Sequence, residues 1–283
     1  MLFRSRAGAE HLARGLLGTA LRVLVPVTLV AMACAPLLAR ALSAGVPTPT
    51  VARGQRELAT FLLLCFLPQV VVYAWGAVAT GLLYATRRFA ITALAPIGNT
   101  VVMIASLVVF RIVAGPRPGL GLDLSERIIL AVAGTGGVLA YVGILVGAAR
   151  RAGFSLAPRS ARGDAAVARL TRRAGWGALL HANAGLLLGA ALVLGNAVPG
   201  GVVAYQLAFV FFLAPYAILA QPVHTAILPE LASEAGRGDL DAFSDSVEWS
   251  LGRMALLVVP VSAAACAFAL PGMRLVAFGR AAH

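Results

Sequence analysis

The stretch LRVLVPVTLVAMACAPLLARALSAG, residues 21–45, returns in altered form as ALLVVPVSAAACAFALPGMRLVAFG, residues 255–279. Each is a run of about 20 or more mostly apolar residues, the length a helix needs to cross a hydrocarbon core. At an offset of 234 residues, Val25, Pro26 and Val27 fall on Val259, Pro260 and Val261. Ala31, Ala33 and Ala35 fall on Ala265, Ala267 and Ala269, Arg40 on Arg274 and Gly45 on Gly279. Leu17 and Gly18, just upstream, meet Leu251 and Gly252. Alanine-rich and valine-rich helices coincide often by chance, so the weight rests on the shared proline, arginine and terminal glycine, which point to an internal duplication.

Working outward, apolar residues dominate the whole chain: 60% of its 283 residues are hydrophobic and only 12% charged. The mean hydropathy of +0.89 belongs to a bilayer protein. Seven apolar blocks follow one another at 19–43, 57–84, 89–113, 126–149, 174–197, 201–228 and 252–278. The expected fold is therefore an all-α polytopic membrane protein with seven transmembrane helices, forming part of a two-half bundle. The same offset places partners of the fifth and sixth blocks before residue 1 and partners of 57–149 beyond the end, so a chain cut at both ends is expected, with each half holding six helices. Residues 1–150 would then close the first half-bundle, 151–173 form a basic linker, and 174–283 open the second. In duplicated transporters the substrate path lies between such halves.

All 23 basic residues are arginine, and their places say more than the net charge of +12. With the start of the first block in the cytoplasm, that side collects Arg4, Arg6, Arg14, Arg87, Arg88, Arg237 and the dense set between Arg150 and Arg173. The opposite loops keep Arg53, Arg56 and Arg117, with Arg111, Arg127, Arg274 and Arg280 near helix ends. This is the positive-inside pattern. The basic segment could also attract anionic lipid head groups, so membrane lipids are expected partners. No aromatic residues interleave with its arginines as base platforms, and nucleic acid is not an expected partner.

Polar residues inside spans are functional candidates because hydrocarbon offers them no partner. On an unbroken helix, Gln206, Val210, Leu213, Ala217, Gln221 and His224 fall within about 80° of one another. Pro215 and Pro222 would bend that helix and free carbonyls along it. The face either lines a cavity or supplies interhelical hydrogen bonds, and sequence leaves both open. On the fifth block Gly177, His181, Gly185 and Gly189 recur every four residues as a packing groove, with Asn183 nearby and Asn196 placed to cap the helix. Pro68 beside Gln69, and Pro96 before Asn99, repeat the pairing of a proline with an amide, as in helices that bend around a cavity.

The eleven acidic residues all fall in loops or at helix ends, and no HExxH, GxSxG or GxxxxGK[ST] occurs. Enzymatic chemistry is therefore not expected, and no cofactor is implied. Cys34, Cys65 and Cys266 lie within apolar blocks, where cysteine acts as a small hydrophobe, and neither a disulfide nor a metal site is expected. The opening MLFRSRAGAEHLARG is too polar and basic for a cleavable signal.

Two ordered blocks carry a family resemblance. FFLAPYAILAQPVHTAILPELASEAGRGDLDAF, residues 211–243, resembles the signature of the MurJ/MviN lipid II flippases within the multidrug/oligosaccharidyl-lipid/polysaccharide exporter superfamily. The matching elements are Pro215, Ile227-Leu228-Pro229-Glu230-Leu231, Gly236, Gly238-Asp239 and Phe243. FLPQVVVYAWGAVATGLLYATRRFAITALAPIGNTVV, residues 66–102, resembles the family's FLPQ, AxRRF and APxxN run. The resemblance spans the chain as the third to ninth of fourteen helices. It implies a bacterial inner-membrane, multi-pass transporter. Such a protein would take a lipid-linked oligosaccharide, the peptidoglycan precursor lipid II, into a cationic cavity from the cytoplasmic side and release it outside by alternating access, with cell-wall synthesis enzymes as further partners. The family's arginine five residues before the proline, and the carboxylate two before it, fall on Val210 and Leu213. This departure keeps two alternatives open: an exporter of another polyprenyl-linked glycan or a drug, and a non-transporting scaffold for cell-wall assembly. In the cytoplasmic turn after the sixth helix, Gly236 and Gly238 permit the bend, and Asp239, Asp241 and Asp245 are expected on a short interfacial helix of their own.

The topology is open to direct measurement. Single cysteines introduced as Ser160→Cys and Pro118→Cys are expected to react with impermeant reagents from opposite faces of intact cells. Labelling of position 160 from outside would overturn the arrangement.

Overall fold

The computed structural model describes residues 6–116 and 118–276; Arg4, Arg117, Gly279 and Arg280 lie outside the described residues. Among the described residues all its regular structure is helical, without strands. Two compact units divide at Pro199 and Gly200. The first holds α1 (Arg6–Ala33), α2 (Ala35–Leu42), α3 (Pro49–Phe66), α4 (Gln69–Ala85), α5 (Phe89–Val113), α6 (Leu124–Ala131), α7 (Gly137–Arg151) and α8 (Ala165–Gly195), with a π turn at Val132–Gly136 joining α6 to α7. The second holds α9 (Gly201–Pro215), a π turn at Tyr216–Ala220, α10 (Gln221–Arg237), α11 (Leu240–Ala267) and α12 (Ala269–Val276).

Seven helical runs among the described residues are long and apolar enough to cross a membrane, one for each apolar block of the sequence. Several outrun their blocks. The first begins at Ala7, and the sixth continues to Arg237. Hydropathy marks where hydrocarbon lies, whereas backbone hydrogen bonding decides where a helix stops, and charged turns beyond the bilayer still satisfy it.

The arginine-rich end of the first unit is its packed core. Ala9, Ala13, Ala79, Leu82, Leu83, Ala95, Leu145, Ala148 and Ala149 meet there with Phe154 and Leu156 from the connection between α7 and α8. Small residues dominate, as expected where helices approach closely and lipid supplies no driving force of its own. The connection 152–164 then lies across α1. Arg14 Nε donates to the Ala157 carbonyl at 3.1 Å, and the Arg159 N–H donates to the Arg14 carbonyl at 3.0 Å. Asp164 caps α8 by accepting from the N–H groups of Ala166 and Val167 at 3.0 and 3.2 Å. The Val167 N–H chiefly, with that of Ala166 and the charges of His11 and Arg159, holds the Asp164 carboxyl below its ordinary pKa, against a smaller desolvation effect.

Three helices, α4, α7 and α10, end in the same way, with a left-handed residue whose own N–H and that of the next residue return to the last turn. Gly153 (φ 81°) and Gly238 (φ 73°) fill two of these positions, and Arg87 (φ 58°) fills the third. Arg88 and Arg87 donate to the carbonyls of Leu83 and Tyr84 at 2.9 and 3.0 Å. At the other end of the first unit, Arg56 Nε donates to Ser43 Oγ at 3.0 Å. Asn196 caps α8 as expected, and its Nδ2 donates to the Leu42 carbonyl at 2.8 Å.

The two stretches that align at an offset of 234 residues also share a conformation. The first long helix breaks at Cys34 (φ −86°, ψ 0°), and α11 breaks at Phe268 (φ −98°, ψ 12°), 234 residues later. Cys34 donates to Val30 and Phe268 to Ala264, both at 2.9 Å; Leu38 donates to Cys34 at 3.0 Å and Gly272 to Phe268 at 2.8 Å. Each of these pairs is related by the same offset. The aligned prolines, Pro26 and Pro260, stay inside their helices. Pro36 and Pro271, which follow the breaks and cannot donate, do not align with each other.

Two expectations need correction. Asp239, Asp241 and Asp245 do not form a separate interfacial helix before the seventh span: Asp239 caps α11, accepting from the Ala242 N–H at 3.2 Å, and α11 runs unbroken from Leu240. A short helix would have exposed a fresh set of unpaired carbonyls, which continuation avoids. Gly236 remains helical, and Gly238 alone makes the turn. Arg169, Arg172 and Arg173 likewise stand on the first turns of α8, so the irregular part of the basic segment is 152–164.

Gly18 marks the closest approach of α1 to that connection, since a Cβ there would fall on the Arg159 carbonyl. Gly18→Ala should therefore destabilise the first unit by about 1–3 kcal/mol, as overpacking against backbone does. Gly81→Ala, whose Cβ meets nothing within 4 Å, serves as the control. The check is thermal inactivation in detergent; equal midpoints for the two variants would contradict the packing described.

Candidate functional site

The amides of the two proline and amide pairs of the first unit approach one place. Pro68, at the break between α3 and α4, has no N–H to offer the Leu64 carbonyl, and the regular ladder of bonds stops there. The Cys65 carbonyl accepts instead from Thr135 Oγ1 at 2.9 Å. That hydroxyl in turn accepts from Gln69 Nε2 at 2.8 Å. Thr135 is available because it sits on the π turn Val132–Gly136, where the wider ring of hydrogen bonds displaces side chains from helical register. On its two sides, a Cβ at Gly134 would lie 2.5 Å from the Phe66 ring, and one at Gly137 would overlap the Asn99 amide oxygen. Pro96 stands one turn before Asn99 inside α5. Gln69 and Asn99, each close in sequence to a proline, thus approach a single irregular turn. Sequence reading passed over Thr135 and the turn itself; the signal was AGTGG, residues 133–137, a small and hydroxylated interruption of an apolar span.

In the second unit the sixth span is interrupted where the sequence places its prolines. The π turn Tyr216–Ala220 follows Pro215, and α10 resumes at Gln221 with Pro222 in its first turn. Gln206, Val210 and Leu213 share a face of α9 within about 60°. The π turn sets the phase back by roughly one residue, about 100°. Gln221 therefore stays at the edge of that face, and His224 leaves it by about a quarter turn, so the single face expected of an unbroken helix does not form. Val210 is 63% exposed and Leu213 39% exposed. Gln206, Gln221 and His224 are exposed as well. Beside this face runs an aromatic ladder, Tyr205 on Phe209 at 5.9 Å and Phe209 on Phe212 at 6.1 Å between ring centroids. A groove of about 480 Å³ opens between α9 and the break in α11, lined by Phe211, Phe212, Pro215, Ser262, Cys266 and Phe268 among others.

The remaining candidates are dispersed. His181 and Asn183 are exposed on α8, and Cβ atoms at Gly177, Gly185 and Gly189 would meet nothing within 4 Å, so no described residue occupies the expected packing groove. Arg87 and Arg88 form the exposed turn after α4, and Gly238 and Asp239 the turn after α10. One acidic residue departs from the reading of solvated loop carboxylates. Glu234, in the last turn of α10, is 5% exposed; its Oε1 accepts from Ser246 Oγ of α11 at 2.9 Å, and Oε2 has no partner.

The arrangement is suited to bending and packing helices around polar groups in a bilayer, with no assembled set of acid, base and nucleophile among the described residues. A protein-family model described as lipid II flippase MurJ matches residues 3–282. No solved structure matches the chain.

Thr135→Val, which keeps shape and removes the hydroxyl, should cost about 1 kcal/mol, near the mean for a polar contact between membrane helices, because both the Cys65 carbonyl and the Gln69 amide lose their partner. Thr135→Ser should retain most of it. Detergent unfolding midpoints of the two variants compare the effects, and an unchanged midpoint for the valine variant would dissociate Thr135 from the α3–α4 junction.

Proposed function

The chain belongs to the lipid II flippase MurJ family, matched over residues 3–282, and on that premise we propose that it moves lipid II from the cytoplasmic to the outer face of the bacterial inner membrane by alternating access. The cargo is an undecaprenyl-diphosphate-linked sugar-peptide, so the pathway must admit a charged, hydrated head while the prenyl tail stays in lipid. Helices that bend without losing backbone hydrogen bonds suit such a path. The observation that carries the reading is the family match over nearly the whole chain, in which the sixth span is interrupted between Pro215 and Pro222. On this reading Gln206, Val210, Leu213, Gln221 and His224 border the cargo path, with Asn99, His181 and Asn183 as further polar contributors. Pro68, Pro96, Pro215 and Pro222 supply the bends. Arg87, Arg88, Gly238 and Asp239 belong to the cytoplasmic turns. The role is that of a transporter rather than a catalyst, and cell-wall synthesis enzymes that use the exported precursor are its proposed partners.

One observation favours a second reading. Val210 and Leu213 stand where the family resemblance places an arginine and a carboxylate, and neither side chain can pair with a diphosphate. A non-transporting scaffold for cell-wall assembly would tolerate both.

Cells depleted of their own flippase and expressing the full-length protein distinguish the readings. Lipid II reaching the outer face, measured with an impermeant reagent for its sugar-peptide head, is expected to recover, and Val210→Arg should raise the recovery by restoring an anion partner. Normal membrane insertion without any recovery would exclude transport and leave the scaffold.

A further inference from the structure

A cavity of about 350 Å³ lies where the connection 152–164 crosses α1 and turns into α8. Its lining includes Thr19 and Arg22 of α1, Arg162 and Asp164 of the connection, and Thr171 of α8. Arg22 is embedded in an apolar run, LRVLVPV at 21–27, one turn into the first apolar block. Side chains on a helix lean toward its N-terminus, so this guanidinium is directed back toward the arginine-rich end of the unit, where hydrocarbon gives way to head groups. Among the described residues neither Arg22 nor Arg162 has an ion-pair partner.

The other polar groups around the cavity are already engaged. Asp164 caps α8 with one oxygen and faces His11 Nε2 at 3.6 Å with the other. Arg159 meets the His11 ring. Thr19 and Thr171 donate to carbonyls of their own helices at 3.0 Å. The N-terminus of α8 is thus satisfied, and the two arginines hold the uncommitted positive charge. An unpaired arginine inside an apolar span is costly unless its charge reaches an anion or water. Exposed Val23, Val27 and Val30 continue along α1 below the cavity, an apolar surface on which an acyl chain can lie.

We propose that this cavity is a binding site for the phosphate of an anionic membrane phospholipid, held between the guanidinium forks of Arg22 and Arg162. Two arginines grip a phosphodiester through paired N–H donors, a geometry that a zwitterionic head matches less well because its own cation competes. The lipid would pin the connection 152–164 to α1 at the membrane surface. The site does not depend on the transport reading, and its test uses no transport assay.

The purified full chain, reconstituted in phosphatidylcholine nanodiscs, would be titrated with fluorescently tailed phosphatidylglycerol and with phosphatidylcholine carrying the same tail. Phosphatidylglycerol is expected to bind the tighter, and Arg22→Gln with Arg162→Gln should weaken it at least about tenfold, the loss of two charge-assisted contacts. Arg150→Gln with Arg151→Gln removes equal charge at the end of α7 and should change binding less than about twofold. Equal losses in the two double variants, or equal affinity for the two lipids, would overturn the site. Arg162→Gln alone, on the exposed connection, should weaken binding about threefold; no change there would also overturn it, however the Arg22 variant folds. Displacement by short-chain phosphatidylglycerol and not by inorganic phosphate at the same concentration assigns the lipid head group. Displacement by inorganic phosphate refutes the lipid assignment.

Discussion

A carbonyl that loses its donor inside hydrocarbon must find another, and much of this molecule is arranged around that constraint. At Pro68 the replacement comes from Thr135 on another helix, so the defect in one span is mended by a defect in a second. The bond joins α3 and α4 to the α6–α7 span at mid-chain and lets Gln69 be satisfied by the same hydroxyl. Gly134 and Gly137 are the steric condition for this, since any side chain there would push Phe66 or Asn99 away. The proline and the threonine therefore make one joint.

The arginine-rich end is held by a different balance. There the chain leaves the membrane, and backbone groups of an irregular segment are tied to α1 through Arg14 and Arg159. The same residue type from whose placement the topology is expected thus also supplies hydrogen-bond donors for a loop that has no helix to satisfy it. Arg87 shows the tension in this dual use. It occupies a left-handed position that glycine fills in the two comparable turns, at a steric cost of roughly 1–2 kcal/mol.

Much of this was legible in the sequence. The seven spans followed from block length and composition, because the bilayer imposes a length that soluble folds do not. Pro68 with Gln69 and Pro96 with Asn99 stood out as polar punctuation in apolar runs. The bond from Gln69 to Thr135, and the seating of Asn99 beside the same turn, were not legible, since a π turn is an excess of one residue in hydrogen-bond register and leaves little compositional trace. The same cause displaced His224: a face computed at a uniform 100° per residue does not survive Tyr216–Ala220. Glu234 was read as a loop carboxylate because its neighbours are polar, yet the hairpin of α10 and α11 closes over it. The path of 152–164 over α1 depends on contacts between residues far apart in sequence, which local patterns do not encode.

The breaks at Cys34 and Phe268 keep similar backbone angles and two corresponding hydrogen bonds each, while the prolines beside them stand at neighbouring positions. The joint is thus kept by place rather than by residue. A proline need only fall within the turn that follows, so either copy can exchange its breaker, or move it by a position, while the short helix beyond keeps its start. Two segments can differ in this way almost completely in sequence and still break at corresponding points, so the joint relates them more closely than the aligned residues do.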